Sequence, residues 1–266
     1  MTARIWQGTI AALLPMLTAV SLAQGPPATD PLSSHVTSIS AQLDPRVAQT
    51  MAQLDGTGRQ LLALRSYLRS ASHLAERWSW TQAQIEAFEG SPEQRELQQE
   101  IDRVRTAFVA ANPGFELYVN SQVRSLDVQV EHWNSNGSVQ AAASDILAAA
   151  QALILAPDFP ANRPEQAREA LKAFLSGYKP VPTPTIAAPG LSLHGQMRAI
   201  DFQVHQGGQV VAGPSTATIA TDWAAAGWAA KLDAAVRASS SRFSGPQASP
   251  PAPWHYTYVP GPVARD

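Results

Sequence analysis

The apolar residues of this chain change their spacing at Asn112-Pro113-Gly114. Before this point the spacing is helical, because apolar residues lie four, three and four positions apart at Leu97, Ile101, Val104 and Phe108. After it, apolar and polar residues alternate over residues 115–119, which is typical of a half-buried strand. Because helices come first and strands follow, the sequence predicts an α+β fold.

The later segments predict a small, mainly antiparallel sheet with helices packed against it. Ile200, Phe202 and Val204 lie on one face of a predicted strand, and Asp201 lies on the other. Four prolines make residues 178–190 extended or irregular. The elements expected in chain order are helices over 138–155 and 164–176, strands over 197–204 and 209–212, a helix capped by Thr221, and a strand over 255–259.

The first 23 residues have the features of a secretory signal peptide. Arg4 gives a short positive region, residues 10–20 are apolar and uncharged, and Ser21-Leu22-Ala23 places small residues where a signal peptidase reads them. Cleavage is predicted after Ala23, and the protein is expected to be periplasmic or secreted. This apolar run is too short to span a bilayer, and no other segment is expected to be transmembrane. The alternative is an N-terminal helix packed in the fold.

The composition excludes several functions. Without cysteine there is no disulfide framework, no cysteine-ligated zinc, no thiol nucleophile and no lipoprotein anchor. The chain has 19 basic and 21 acidic residues, so losing Arg4 with the signal peptide changes the formal charge from −2 to −3. This balance, without any run of basic residues, predicts no nucleic-acid partner.

Three residues could form a metal site. His194 precedes the strand that carries Asp201, and His255 opens the last strand. Two neutral imidazoles and a carboxylate can hold Zn²⁺ and leave a fourth position for water, as a catalytic site requires. Periodicity alone leaves another interpretation open, in which each histidine is an ordinary hydrogen-bonded core residue.

Three sequence blocks resemble one family. They are Ser192-x-His194-x-x-x-x-Ala199-x-Asp201, the late Pro253-Trp254-His255, and Val119-Asn120-Ser121-Gln122-Val123-Arg124-Ser125 followed by Gln129. In sequence and in their order along the chain, these blocks resemble the D-alanyl-D-alanine carboxypeptidase (VanY-type) zinc peptidases, which share a metal site with the hedgehog signalling domain. The similarity spans about residues 112–260.

The resemblance implies a set of site residues. His194, Asp201 and His255 would be the zinc ligands, and Arg124 would face a substrate carboxylate or a developing oxyanion. The substrate-binding residues would be Ser125, Gln129, Ser192, Trp254 and Tyr256. The alternatives are a surface position for Arg124 and a core position for the aromatic residues.

The chain departs from the family pattern at three places. Met197 replaces a usual glycine, and Gln122 and Val123 replace Gly and Tyr. Ala252 replaces the glutamate that acts as general base, so the general base is unknown. The resemblance implies a hedgehog/DD-peptidase-like fold, Zn²⁺ as cofactor and peptidoglycan peptides as substrates.

The segments are then a signal peptide (1–23), a flexible lead-in (24–37), a helical N-terminal region (38–111), a zinc DD-peptidase-like domain (112–260) and a tail (261–266). The expected function is a zinc metallopeptidase acting on peptidoglycan stem peptides, with low activity. The alternatives are a non-catalytic zinc protein that binds cell-wall peptides or a partner, and a partner-binding N-terminal region with a vestigial domain behind it.

Overall fold

A computed structural model describes residues 31–261. The predicted signal peptide, residues 24–30 of the predicted lead-in and residues 262–266 of the predicted tail lie outside these residues. The α-helices are α1 (Pro31–Ser40), α2 (Pro45–Met51), α3 (Gly56–Arg69), α4 (Leu74–Arg77), α5 (Gln82–Phe88), α6 (Pro92–Ala111), α7 (Leu126–Ser135), α8 (Gly137–Ile154), α9 (Pro164–Gly177) and α10 (Trp228–Ser239). The strands are β1 (Glu116–Val119), β2 (Ala199–Gln206), β3 (Gln209–Ala212), β4 (Phe243–Ser244) and β5 (His255–Tyr258).

The first hydrophobic core is built from helices. Helix α3 lies at its centre and packs against α1, α8 and α9. Gly58 allows α3 to approach α8 closely, because a Cβ atom at this position would lie 2.6 Å from the carbonyl oxygen of Ala143. Tyr67 of α3 donates a hydrogen bond of 2.8 Å to the carbonyl of Pro189. This bond ties the helical core to the loop that leads to His194.

The second hydrophobic core lies between a five-stranded antiparallel sheet and two helices. β2 pairs with β1, β3 and β5, and β4 pairs with β5. α6 and α10 pack against each other over the sheet face that carries Ile200, Phe202 and Tyr256. The mixed α+β class and the small antiparallel sheet are therefore confirmed.

Two local predictions are wrong. Residues 31–37 belong to α1 rather than to a flexible lead-in, because Leu32, Val36 and Ile39 repeat at helical spacing and bury one face of that helix. Thr221 does not cap a helix, since it lies inside a π-helical turn at Ile219–Ala225. α10 begins after Gly227, whose φ of 71° ends that turn.

Each of the two cores contains residues from both sides of the predicted domain boundary between residues 111 and 112. α6 lies before this boundary and packs against β1, while α8 and α9 lie after it and pack against α3. No helix of the described chain combines the length and the apolarity needed to cross a membrane.

Candidate functional site

The sheet places two of the three predicted metal ligands side by side. Asp201 of β2 and His255 of β5 are register partners. Their neighbours Ile200, Phe202 and Tyr256 are buried in the second core. Because side chains alternate along a strand, Asp201 and His255 point to the opposite sheet face. His194 joins them from a 3₁₀ turn at Leu193–Gln196, just before β2.

The donor atoms of the three side chains lie in mutual contact. Asp201 Oδ1 lies 2.9 Å from His255 Nδ1, and Asp201 Oδ2 lies 3.3 Å from His194 Nε2. The two imidazoles approach to 3.3 Å between His194 Nε2 and His255 Nδ1. Donors at ~2.0–2.1 Å from a tetrahedral zinc ion lie ~3.3 Å apart. One donor atom from each residue lies within 4.8 Å of the other two, so the three side chains could hold a single cation.

The protonation states also suit a metal ion. Burial lowers the pKa of His194 to about 4. The negative charge of Asp201 opposes this shift, and the positive charges of Arg124 and His255 reinforce it. Burial would raise the pKa of Asp201, but the hydrogen bond with His255 and the charges of His194, His255 and Arg124 lower it below its ordinary value. At neutral pH the site thus offers an uncharged His194 and an ionised carboxylate, the forms that metal ligands need.

Arg124 lies beside this cluster. Its Nη2 atom is 3.6 Å from Asp201 Oδ2, and its side chain is 35% exposed. Its backbone N–H donates a hydrogen bond of 3.2 Å to the carbonyl of His194. The segment before α7 is therefore attached to the turn that carries His194, and the guanidinium keeps donors that can reach solvent.

The other predicted pocket residues divide into two groups. Ser125 and Ser192 are half-buried, and Ser125 caps α7 by accepting a hydrogen bond from the N–H of Val128. Gln129, Trp254 and Tyr256 are buried, so this structure encloses the side chains that we predicted to contact substrate. Tyr256 packs edge-on against Phe202 in the second core, and Trp254 packs against Trp223.

The buried side chain of Gln129 holds the segments around the site together by hydrogen bonds. Its side-chain amide donates to Ser79 Oγ at 2.8 Å and to the carbonyl of Arg124 at 2.7 Å. Its Oε1 atom accepts from the N–H of Gly190 at 3.0 Å. One buried side chain thus joins three segments of the chain around His194.

The segment between α4 and α5 holds the histidine turn in place, and sequence reasoning did not identify it. Ser79 N–H donates to the carbonyl of Gly190 at 2.8 Å, and Trp80 N–H donates to that of Gly195 at 2.9 Å. Gln196 donates its amide to the carbonyl of Trp78 at 2.8 Å. Backbone pairing of this kind leaves no periodic signal in the sequence.

Met197 has a backbone conformation that favours glycine. Its φ is 50° and its ψ 27°, in the left-handed region that favours glycine. Its side chain is 3% exposed and packs in the second core. Burial of this apolar side chain offsets the backbone strain, which is on the order of 1–3 kcal/mol.

Among residues 31–261, Asp201 is the one acidic residue in the group that could hold a metal ion. Ala252 is 8% exposed and belongs to the second core. Asp222 accepts a hydrogen bond from Thr221, and Asp233 accepts one from Arg237.

Gly195 has no room for a side chain. A Cβ atom there would lie 2.1 Å from Ser79 Oγ, 2.6 Å from Ser79 Cβ and 2.7 Å from Gln129 Nε2. We expect Gly195→Ala to lower the free energy of unfolding by about 1–3 kcal/mol, since overpacking forces the buried neighbours apart. Urea denaturation measures this, with Gly137→Ala as control because nothing lies within 4 Å of that position. Equal stabilities for the two variants would contradict the close contact.

The sequence thus brings together two imidazoles, a carboxylate and a guanidinium, held by buried hydrogen bonds from a distant segment. The chemistry of this group is the basis on which function can be argued. Comparisons of the chain with protein-family models, with curated proteins and with solved structures found no match in any of the three.

Proposed function

We propose that this protein is an exported, zinc-dependent peptidase-like protein that acts on peptidoglycan stem peptides with low activity. The observation that carries the proposal is the mutual contact of His194, Asp201 and His255 at 2.9–3.3 Å between donor atoms. The resemblance of three ordered sequence blocks to the D-alanyl-D-alanine carboxypeptidase family gives the substrate class. The class of cleaved bond is a peptide bond next to a D-amino acid.

In this proposal, different side chains bind the metal ion and the substrate. His194 Nε2, the carboxylate of Asp201 and His255 Nδ1 would hold the ion. A bound zinc ion supplies Lewis-acid polarisation of a carbonyl and a water that ionises near neutral pH. Arg124 binds the substrate carboxylate or stabilises the developing oxyanion with the guanidinium donors that Asp201 does not engage.

Low activity follows from the missing base. Ala252 stands where the family has the glutamate that accepts the proton, and the group of possible metal ligands contains no described acidic residue besides Asp201. A positioned general base contributes ~10²–10⁴-fold to a rate. We therefore expect turnover slower than that of a complete site by this factor.

Zinc-loaded protein is expected to release the terminal D-alanine from muropeptides slowly. Mass spectrometry of long incubations measures the product. A chelator should abolish product formation, and His194→Ala should do so without unfolding the chain. If zinc-loaded protein forms no product that a chelator suppresses, the enzymatic proposal is wrong.

A second function is favoured by the buried position of Ala252. The same metal and guanidinium could bind a cell-wall peptide, or a partner protein with a free carboxylate, without cleaving it. In that case calorimetry would show zinc-dependent binding of intact muropeptide, weakened by Arg124→Gln, while mass spectrometry shows no product.

A further inference from the structure

A polar pocket lies at the C-terminal end of α3. It has a volume of about 220 Å³ and is open to solvent. The residues that line it include Arg65, Ser66, Arg69, Ser70, Arg77 and Leu191. Three arginines therefore line one pocket, together with the loop that leads to His194.

The arginines of this pocket have no acidic side chain as a partner within the part of the chain that the structure describes. Among residues 31–261, none of its three arginines forms an ion pair with an acidic side chain. Glu76 is the sequence neighbour of Arg77, but its carboxylate contacts His73 at 3.6 Å. Other arginines of the described chain do have such partners, for example Arg237 with Asp233 at 2.8 Å.

Backbone carbonyls position two of these arginines, and each of the two bonds uses one donor of a guanidinium group. Arg65 Nε donates to the carbonyl of Tyr178 at 2.6 Å, and Arg69 Nη1 donates to that of Ser176 at 3.4 Å. Each guanidinium has five N–H donors. Bonding to carbonyls at and just after the end of α9 accounts for the placement of Arg65 and Arg69, but it does not account for Arg77.

Repulsion between the arginines also favours a negatively charged occupant. Burial lowers the pKa of the Arg65 guanidinium, and the positive charge of Arg69 lowers it further. An anion in the pocket would compensate both effects. Guanidinium groups bind phosphate oxygens in a bidentate manner, and several can share one phosphate.

We propose that this pocket binds a phosphate monoester or diester group of a larger molecule. Three arginines supply the charge, and the hydroxyl of Ser70 supplies a neutral hydrogen-bonding group. The pocket is open, so the rest of an esterified molecule can extend into solvent. Inorganic phosphate shares this chemistry and is the alternative source of the anion.

Calorimetry on the full chain tests this site with three probes: inorganic phosphate, glycerol 3-phosphate and diglyceryl phosphodiester. We expect Arg69→Gln combined with Arg77→Gln to weaken binding by at least ~10-fold, because two charge-assisted contacts are lost. Arg163→Gln is the matched control, since Arg163 is exposed and its guanidinium donates to the side-chain oxygen of Gln166. Arg65 is left unchanged because it bonds the backbone of Tyr178.

The probes identify the source of the anion. Tighter binding of the esters supports the proposal as stated, while binding of inorganic phosphate alone overturns the assignment to an ester. Unchanged binding in the double variant would overturn the site, as would an equal loss in the control variant. Absence of binding for every probe at about 10 mM would overturn it as well. Circular dichroism of each variant verifies that the helices are retained.

Discussion

Replacing Asp201 with alanine is expected to weaken zinc binding by at least ~100-fold. One of its carboxylate oxygens lies 2.9 Å from His255 Nδ1 and the other lies 3.3 Å from His194 Nε2, so the side chain contacts both imidazoles. Loss of groups that only orient metal ligands already costs ~10–100-fold in affinity, and loss of a charged ligand should cost at least as much. Competition with a chromophoric chelator measures the dissociation constant.

Two further variants make this result specific. Asp201→Asn keeps the size and one hydrogen-bond acceptor but removes the charge, so we expect its affinity to fall between wild type and Asp201→Ala. Asp158→Ala removes an exposed carboxylate and should bind zinc as wild type does. Wild-type affinity in Asp201→Ala would contradict the assignment of this residue as a ligand.

Introducing a carboxylate by Ala252→Glu is expected to raise the rate of muropeptide hydrolysis by ~10²–10⁴-fold. The position is three residues before His255, and the carbonyl of Ala252 accepts a hydrogen bond of 3.0 Å from His255 N–H. The resemblance places the family's general base at this residue. A large gain would mean that the native site lacks only its base. The rate is measured by mass spectrometry under single-turnover conditions.

The matched control is Ala252→Gln, which has nearly the same size but cannot accept a proton at neutral pH. We expect it to leave the rate near that of wild type. Because Ala252 is 8% exposed, both variants also require a stability measurement, so that loss of fold is not mistaken for loss of activity. Equal rates for the two variants would contradict the role of the carboxylate.

Local elements of the fold could be predicted from periodicity. The predicted helices at 138–155 and 164–176 correspond to α8 and α9. The alternation around Phe202 correctly predicted which face of β2 is buried. Each of these signals is contained within one helix or strand, because its apolar residues recur at the spacing of that element.

Long-range packing could not be predicted in the same way. α6 precedes the sheet in sequence and packs against it, although its periodicity only shows that one face is apolar. The pairing of Ser79 and Trp80 with the histidine turn uses backbone groups, which every residue carries. The π-helical turn at Ile219–Ala225 likewise has no simple sequence signal.

The candidate site was predicted in part. His194, Asp201 and His255 come together as the sequence blocks predicted, because a strand pairing and a short turn unite residues far apart in the chain. Residue type alone could not separate Gln129 and Tyr256, which are buried, from side chains that line an open surface. Burial depends on which segments cover a residue, and those contacts are long-range.

Anomalous diffraction at the zinc absorption edge, on crystals of zinc-loaded protein, is the most direct test of the metal site. We expect one ion per chain, bound by His194 Nε2, the Asp201 carboxylate and His255 Nδ1. Diffraction data that show no anomalous peak between these three side chains, from protein with its fold intact, would contradict the assignment of a metal site.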